Sequence, residues 1–130
     1  MMTIFSRIIA GEIPCYKIAE NDKFFAFLDI NPMTKGHTLV VPKLEENYIF
    51  NLEDDMLAEM MIFAKKIAKA LDQTMDCVRV GVAVIGLEVP HAHIHLIPFN
   101  KESDMNFANP KLKLSAEEMQ DIAAKISAAI

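Results

Sequence analysis

The segment 90–98 constrains the fold of this chain most. It reads Pro-His-Ala-His-Ile-His-Leu-Ile-Pro, so histidine occupies every second position and small or branched apolar residues stand between. Alternation with a period of two is typical of a β-strand, in which successive side chains point to opposite faces. The sequence therefore predicts a strand with His91, His93 and His95 on one face, and that face is the candidate functional surface.

The spacing of the three imidazoles limits what they can bind together. Same-face residues on a strand lie roughly 6.7 Å apart, so the outer two rings are expected about 13 Å apart. This spacing suits an extended polar ligand better than one metal ion, because zinc ligands must converge to about 2.1 Å. Two alternatives stay open: a structural role with a buried partner for each ring, and a metal site made of two of these histidines plus His37.

Size and charge restrict the class of protein. The 130 residues are 52% apolar and 24% charged, which is typical of one globular domain spanning 1–130. The net charge is -5 and the only arginines are Arg7 and Arg79. Nucleic-acid binding is not expected, because it needs clustered basic residues that neutralise many phosphates. A mononucleotide remains a candidate ligand, since backbone donors and imidazoles can hold one phosphate.

The cysteines and the hydropathy indicate the compartment. Cys15 and Cys77 form no Cys-x-x-Cys pair, so neither a disulfide framework nor a cysteine zinc site is predicted. The first residues lack the basic start and long apolar run of a signal peptide, and no apolar stretch approaches the roughly 18 residues of a membrane span. We expect a cytoplasmic protein without membrane contact.

Periodicity and turn residues predict the other elements. They are, in chain order, a short helix capped by Thr3 and ended near Gly11, strands at 15–20, 23–28, 36–42 and 78–85, and a last helix opened by a capping box at 115–118.

A long helix is predicted to begin near Asn51. The acidic residues Glu53, Asp54 and Asp55 complement the positive end of its dipole. Its apolar residues form two adjacent stripes, one of Met56, Met60, Phe63, Ile67 and Leu71 and one of Leu57, Met61, Ala64 and Ala68. Because this surface is wider than one sheet face covers, we expect the surplus to join two copies in a homodimer.

The histidine segment resembles the His-φ-His-φ-His-φ-φ signature of the histidine triad (HIT) family of nucleotide hydrolases and transferases. Other segments match that family in order and spacing: Phe5 with Ile8, GEIP at 11–14, FLDINP at 27–32 and GHTLVVPK at 36–43. The resemblance covers a core of about 4–98, followed by a loop and helix at 99–130. It implies an α+β fold: a five-stranded antiparallel sheet with the long helix packed on it, plus short N-terminal and C-terminal helices.

The resemblance also implies the chemistry. The expected activity is cleavage at the α-phosphate of nucleoside 5'-phosphoramidates or related esters through a phosphohistidine, with no metal or other cofactor. His93 takes the place of the nucleophile, His91 and His95 flank the phosphate, and His37 supports them as a fourth imidazole. A nucleophilic His93 needs one bare ring nitrogen, so the other nitrogen should donate to a backbone carbonyl.

The expected ligand is a purine nucleotide of the AMP or GMP type. Phe5 and Ile8 correspond to walls of the base pocket, and Asp29 to a carboxylate that accepts hydrogen bonds from the ribose, although it could equally cap the turn at Asn31. The nucleotide-binding residues implied are Phe5, Ile8, Phe27, Leu28, Asp29, Ile30 and Glu88. The alternatives are a dinucleoside polyphosphate hydrolase, and a nucleotide- or zinc-binding protein with little catalysis.

Glu88 departs from the family pattern. Nucleotide-processing members carry Gln, Ser or Thr at this place, where the side chain contacts phosphate or leaving group. An ionised carboxylate would repel phosphate. Glu88 must therefore point away, be protonated, or weaken catalysis.

Overall fold

The protein is described here by a computed structural model covering residues 2–130. Within this range the fold is α+β, as expected, with five strands in the order β1-β2-β3-β5-β4 and every neighbouring pair antiparallel. The elements are α1 (Ile4–Ile9), β1 (Lys17–Glu20), β2 (Phe24–Leu28), β3 (Thr38–Pro42), α2 (Asp54–Thr74), β4 (Arg79–Ala83), β5 (Ile94–Phe99) and α3 (Ala116–Ala128). Two 3-10 turns, Ile49–Asn51 and Glu102–Met105, complete the set.

The two faces of the sheet have different coverings. On one face, α2 and α3 bury a large apolar core that includes Phe24, Leu28, Val40, Met60, Ile67, Leu71, Ile94, Leu96 and Ile126. On the other face a smaller cluster of Phe5, Phe25, Phe27, Leu39 and Val41 packs under α1. Because apolar side chains alternate onto both faces, β2 and β3 are buried along their whole length.

The histidine strand is shorter than predicted. It begins at Ile94, not at residue 90, and its ladder with β3 begins where Ile94 pairs with Val40. The backbone before it is tied elsewhere, because Ala92 donates its N–H to the Glu46 carbonyl at 2.6 Å. His91 and His93 therefore lie in a loop. The prediction of three evenly spaced imidazoles on one strand face is wrong, because only His95 belongs to the strand.

The helix ends follow the predicted caps in most cases. The Thr3 hydroxyl accepts from the Ser6 N–H at 3.0 Å, and the Ser115 hydroxyl accepts from the Glu118 N–H at 3.1 Å. Gly11 takes the left-handed conformation, φ 83°, just after α1. Helix α2 begins at Asp54 and not near Asn51, because Asn51 belongs to the preceding 3-10 turn. Within residues 2–130, the helices lack the combined length and apolarity that crossing a bilayer requires.

Candidate active site

A cavity of about 500 Å³ opens on the face of the sheet that carries α1. Its walls come from α1, the end of β2, the β4–β5 loop and the start of β5. His93 and His95 both line it. So does every residue assigned to nucleotide binding: Phe5, Ile8, Phe27, Leu28, Asp29, Ile30 and Glu88. The fold thus brings two triad imidazoles and an apolar pocket together.

The apolar wall is built around Phe5. Its ring meets Phe27 edge-on, with centroids 5.5 Å apart, and meets the His93 ring edge-on at 5.0 Å. Only 6% of Phe5 is exposed, so α1 is anchored by this side chain and covers the triad from one side. Flat apolar walls of this kind suit an aromatic ring.

The orientation of His93 is fixed by backbone. Its Nδ1 lies 2.8 Å from the His91 carbonyl oxygen. A carbonyl can only accept, so Nδ1 carries the proton and Nε2 is bare, as expected for a nucleophile. Burial lowers the pKa of His93, which keeps the ring neutral near pH 7.

His95 is oriented by a second imidazole. The Met33 N–H donates to His37 Nδ1 at 3.0 Å, so the proton of neutral His37 is on Nε2. That Nε2 lies 2.9 Å from His95 Nδ1 and donates to it. The proton of His95 is therefore on its own Nε2. Burial lowers the pKa of His37 to about 3 and that of His95 to about 4, so both rings are neutral at pH 7.

Asp29 lies at the edge of this pair. Its Oδ1 accepts from the Asn31 N–H at 2.9 Å, so it does cap the turn after β2. Its Oδ2 is 3.6 Å from His37 Nε2. Burial raises the pKa of Asp29, and the hydrogen bond from Asn31 opposes that rise. The other carboxylate oxygen remains available to a ligand.

His91 is placed differently from its two neighbours. It is wholly buried, its Nε2 donates to the Pro42 carbonyl at 2.7 Å, and its Nδ1 lies 2.7 Å from the Thr3 hydroxyl. Both ring nitrogens are thus used by protein atoms, and the ring lies behind the cavity. The predicted placement of His91 beside the phosphate is not offered by this geometry, since a loop rather than a strand carries the residue.

Sequence reasoning missed part of the lining. Phe107 comes from the loop after β5, and its ring meets the His95 ring edge-on at 5.0 Å. Ile85 and Leu87 of the β4–β5 loop line the cavity as well. The one available signal was an aromatic residue within the otherwise polar segment 100–110.

Metal binding can be tested against the donor atoms. Within residues 2–130 one cluster of three donors exists, made of Asp29, His37 and His95, with donor atoms within 4.8 Å of one another. It uses one triad histidine and a carboxylate, not two triad histidines. His37 and His95 already satisfy each other through one proton, so a cation would have to displace it. The donor set nonetheless has the chemistry that zinc accepts.

Comparisons with known proteins agree with this geometry. The sequence model of the HIT domain matches residues 10–102. Adenosine 5'-monophosphoramidase hnt1 of Schizosaccharomyces pombe is 35% identical over an alignment of 132 positions, which spans 100% of this chain and 99% of that protein.

Solved structures match over almost the whole chain. A HIT-like protein from Bartonella henselae is 29% identical with a TM-score of 0.84, over 98% of this chain and 96% of the other. A zinc-bound histidine triad family protein from Mycobacterium smegmatis is 25% identical with a TM-score of 0.80, over 97% and 91%. Family model, sequence identity and fold agree, and this chain belongs to the histidine triad (HIT) family.

Proposed function

We propose that the protein is a nucleotide hydrolase that cleaves nucleoside 5'-phosphoramidates or related nucleoside monophosphate esters, with nucleotidyl transfer as its first half-reaction. One observation carries the proposal: His93 presents a bare Nε2 and His95 presents an Nε2–H, side by side in one cavity. Their ring centroids are 4.8 Å apart. A nucleophile and a proton donor at this separation suit attack on phosphorus and departure of an amine.

The chemistry proceeds in two balanced steps. His93 Nε2 attacks the α-phosphorus, a bond from nitrogen to phosphorus forms, and the bond to the leaving nitrogen breaks. The leaving nitrogen keeps the bonding electron pair and takes the proton of His95 Nε2, so the positive charge gained by His93 is balanced by the negative charge left on His95 until the second step. Water then attacks the phosphohistidine, returns a proton to His95, and releases the nucleoside monophosphate and free His93. His91 and His37 contact neither phosphorus nor leaving group, and hold His93 and His95 in position.

The rest of the cavity supports a nucleotide. Phe5, Ile8 and Phe27 give an apolar slot for a base, and Asp29 lies close enough to the triad to accept hydrogen bonds from ribose hydroxyls. The S. pombe relative is an adenosine 5'-monophosphoramidase, which favours a purine nucleotide of the AMP type. The net charge of -5 agrees with a ligand that carries few phosphates.

A homodimer is part of the same proposal. Strand β4 lies at the edge of the sheet, and Val82 on it is 52% exposed. Exposed apolar residues continue beside it at Val84 and Leu87, and on α2 at Met61 and Ile62. Exposed apolar edges of this kind need a cover, which a second copy would supply.

The test is turnover of an adenosine phosphoramidate in chelator-treated buffer. His93→Ala is expected to lower kcat by at least about 10³-fold, because the nucleophile is removed. Chelation should leave the wild-type rate unchanged. The control is AMP binding by His93→Ala, which should stay within about threefold of wild type, since the apolar slot and Asp29 are retained. Equal turnover by wild type and His93→Ala would overturn the proposal, and AMP binding without wild-type turnover would favour a binding protein.

A further inference from the structure

A hydrogen-bonded cluster behind the cavity connects the N-terminus to the triad. The Thr3 hydroxyl is at its centre: it caps α1 by accepting from the Ser6 N–H, and it lies 2.7 Å from His91 Nδ1. Glu45, in the loop after β3, accepts from the Thr3 N–H at 3.3 Å and from the Ser6 hydroxyl. Helix α1 is thus held against His91 on one side and Glu45 on the other.

The groups at the ends of this cluster determine which of its atoms donate and which accept. The Pro42 carbonyl can only accept, so His91 Nε2 carries the proton and the neutral Nδ1 is an acceptor. The Thr3 hydroxyl must then donate to Nδ1. Every buried side-chain nitrogen and oxygen within residues 2–130 has a hydrogen-bond partner. Without the hydroxyl, His91 Nδ1 would lose the partner that satisfies it here, which is costly for a wholly buried group.

The cluster reaches the reacting atom in one further step. The carbonyl of His91 accepts the Nδ1–H of His93, and this hydrogen bond leaves His93 Nε2 bare. The same helix that Thr3 caps carries Phe5, whose ring contacts both His91 and His93 edge-on, at 5.7 Å and 5.0 Å. The His91 ring and the carbonyl that orients His93 belong to one residue, so we expect release of the ring to loosen that carbonyl.

We propose that the Thr3 hydroxyl is a positioning group for His93, which acts by holding the His91 ring in place through its Nδ1 and so fixing the carbonyl that keeps the His93 proton on Nδ1. The inference rests on the proposed function in one respect, that His93 is the nucleophile. It assigns a role to a residue 88 positions before His91 that contacts no reacting atom. Thr3 would govern the fraction of His93 that is in the reactive tautomer, and therefore kcat more than KM.

The first readout is independent of turnover. The chain has four histidines, so ¹⁵N spectra of the ring nitrogens can be assigned by single substitutions. Wild type should show His93 protonated on Nδ1 and His91 on Nε2. Thr3→Val removes the hydroxyl at nearly equal volume, and is expected to give mixed tautomers at His93, while the Pro42 carbonyl keeps His91 protonated on Nε2. Thr3→Ser keeps the hydroxyl and the cap, and should restore the wild-type spectrum.

The matched control is Ser6→Ala. It removes the bond from the Ser6 hydroxyl to Glu45 and its 3.1 Å contact with the Thr3 hydroxyl, and leaves the contact between Thr3 and His91 in place. Its His93 spectrum should match wild type. If Ser6→Ala disturbs His93 as much as Thr3→Val does, docking of the whole helix is responsible and the proposal is overturned. An unchanged His93 tautomer in folded Thr3→Val overturns it as well.

Turnover gives the second readout. With an adenosine phosphoramidate, Thr3→Val should lower kcat about tenfold and change KM less than about twofold, and Thr3→Ser should recover most of kcat. A wild type without turnover whose His93 tautomer still depends on Thr3 would reject the proposed function and keep this inference. If the wild type is active and Thr3→Val changes neither kcat nor the His93 tautomer, the proposed function is kept and this inference is rejected.

Discussion

The two halves of the triad, His93 with its partner His91 and His95 with its partner His37, adopt opposite tautomers because the partners differ. On one side a backbone carbonyl accepts from His93 Nδ1 and leaves Nε2 bare. On the other side the His37 N–H donates to His95 Nδ1 and leaves the proton on Nε2. The two side chains are chemically identical and their centroids are only 4.8 Å apart. The comparison teaches that the partner behind each ring, acceptor or donor, assigns its chemical role.

The two arrangements also differ in how easily they can be broken. The His91 carbonyl is a backbone group, so a side-chain substitution cannot remove it. Such a substitution can affect it only indirectly, through the His91 ring. The donor to His95 is itself a titratable ring, held in one tautomer by the Met33 N–H. A substitution at His37 can therefore remove or preserve the donor selectively, and the following predictions use this difference.

Among the variants that test this comparison, His37→Leu has the largest expected effect. It leaves His95 Nδ1 without its donor in a buried position, so the proton of His95 is no longer confined to Nε2. An unsatisfied buried group costs about 1 to 3 kcal/mol, which corresponds to a loss of about 5-fold to 160-fold in kcat for phosphoramidate turnover. AMP affinity should change much less, since His37 lies behind the cavity lining.

The matched variant is His37→Gln. Its side-chain oxygen can accept from the Met33 N–H while its NH₂ group donates to His95, which copies the tautomer that His37 adopts. We expect kcat within about fivefold of wild type, a loss no larger than about 1 kcal/mol. If Gln and Leu are equally damaging, the role of His37 is not donation to His95 and the contrast between the two halves fails.

A smaller effect is expected in the pH dependence of stability. Burial lowers the pKa of His37 from 6.5 to about 3 and that of His95 to about 4. Between about pH 6.5 and pH 4, these imidazoles are therefore protonated in the unfolded chain but still neutral in the native protein. Because the unfolded state binds more protons, the free energy of unfolding falls as pH falls. Each such imidazole contributes up to about 1.4 kcal/mol per pH unit to this slope.

The comparison of wild type with His37→Gln isolates one ring. In urea unfolding from pH 7 to pH 4.5, the variant should lose less free energy of unfolding for each unit of acidification. Burial raises the pKa of Asp29, so this carboxyl takes up a proton in the native state first and opposes the trend, but it does so in both proteins and cancels. Parallel pH profiles would mean that native His37 titrates like an exposed ring.

The sheet was predictable from the sequence because its strands carry a strong local signal. The runs that became β2 and β3 are rich in branched and aromatic residues and end at turn residues, so their existence and order followed from pattern. The alternating pattern predicted a strand at His91 and His93, where the structure has a loop. A period of two in sequence does not require strand pairing, and here the backbone bonds to the loop that contains Glu46.

The site was predictable only for residues that the family pattern or a local chemical argument names. The carbonyl partner of His93 followed from the need for a bare nitrogen, which is a local argument. The contacts between Thr3 and His91, and between Phe107 and His95, join segments far apart in the chain. They depend on how α1 and the loop after β5 dock on the sheet, and no local periodicity encodes that docking.

The smallest expected effect concerns Glu88, which lines the cavity from the β4–β5 loop. Its side chain is exposed, and its charge contributes to the raised pKa of Asp29, after burial. A carboxylate there opposes the negative charge of the phosphate, so Glu88→Ser should raise kcat/KM for a phosphoramidate. Interactions of exposed charges are worth about 0.2 to 1 kcal/mol, so a gain of about 1.5-fold to 5-fold is expected.

Glu88→Gln separates charge from shape. If repulsion is the cause, Glu88→Gln should give most of the gain in kcat/KM that Glu88→Ser gives. The difference in kcat/KM from wild type should also shrink in about 0.5 M salt, because the Debye length falls to a few ångströms. A clear fall in turnover for both variants would mean that Glu88 supplies a proton to the leaving group. In that case His95 would not be the sole acid, and the assignment of opposite roles to the two halves of the triad would have to include a carboxyl group from the loop.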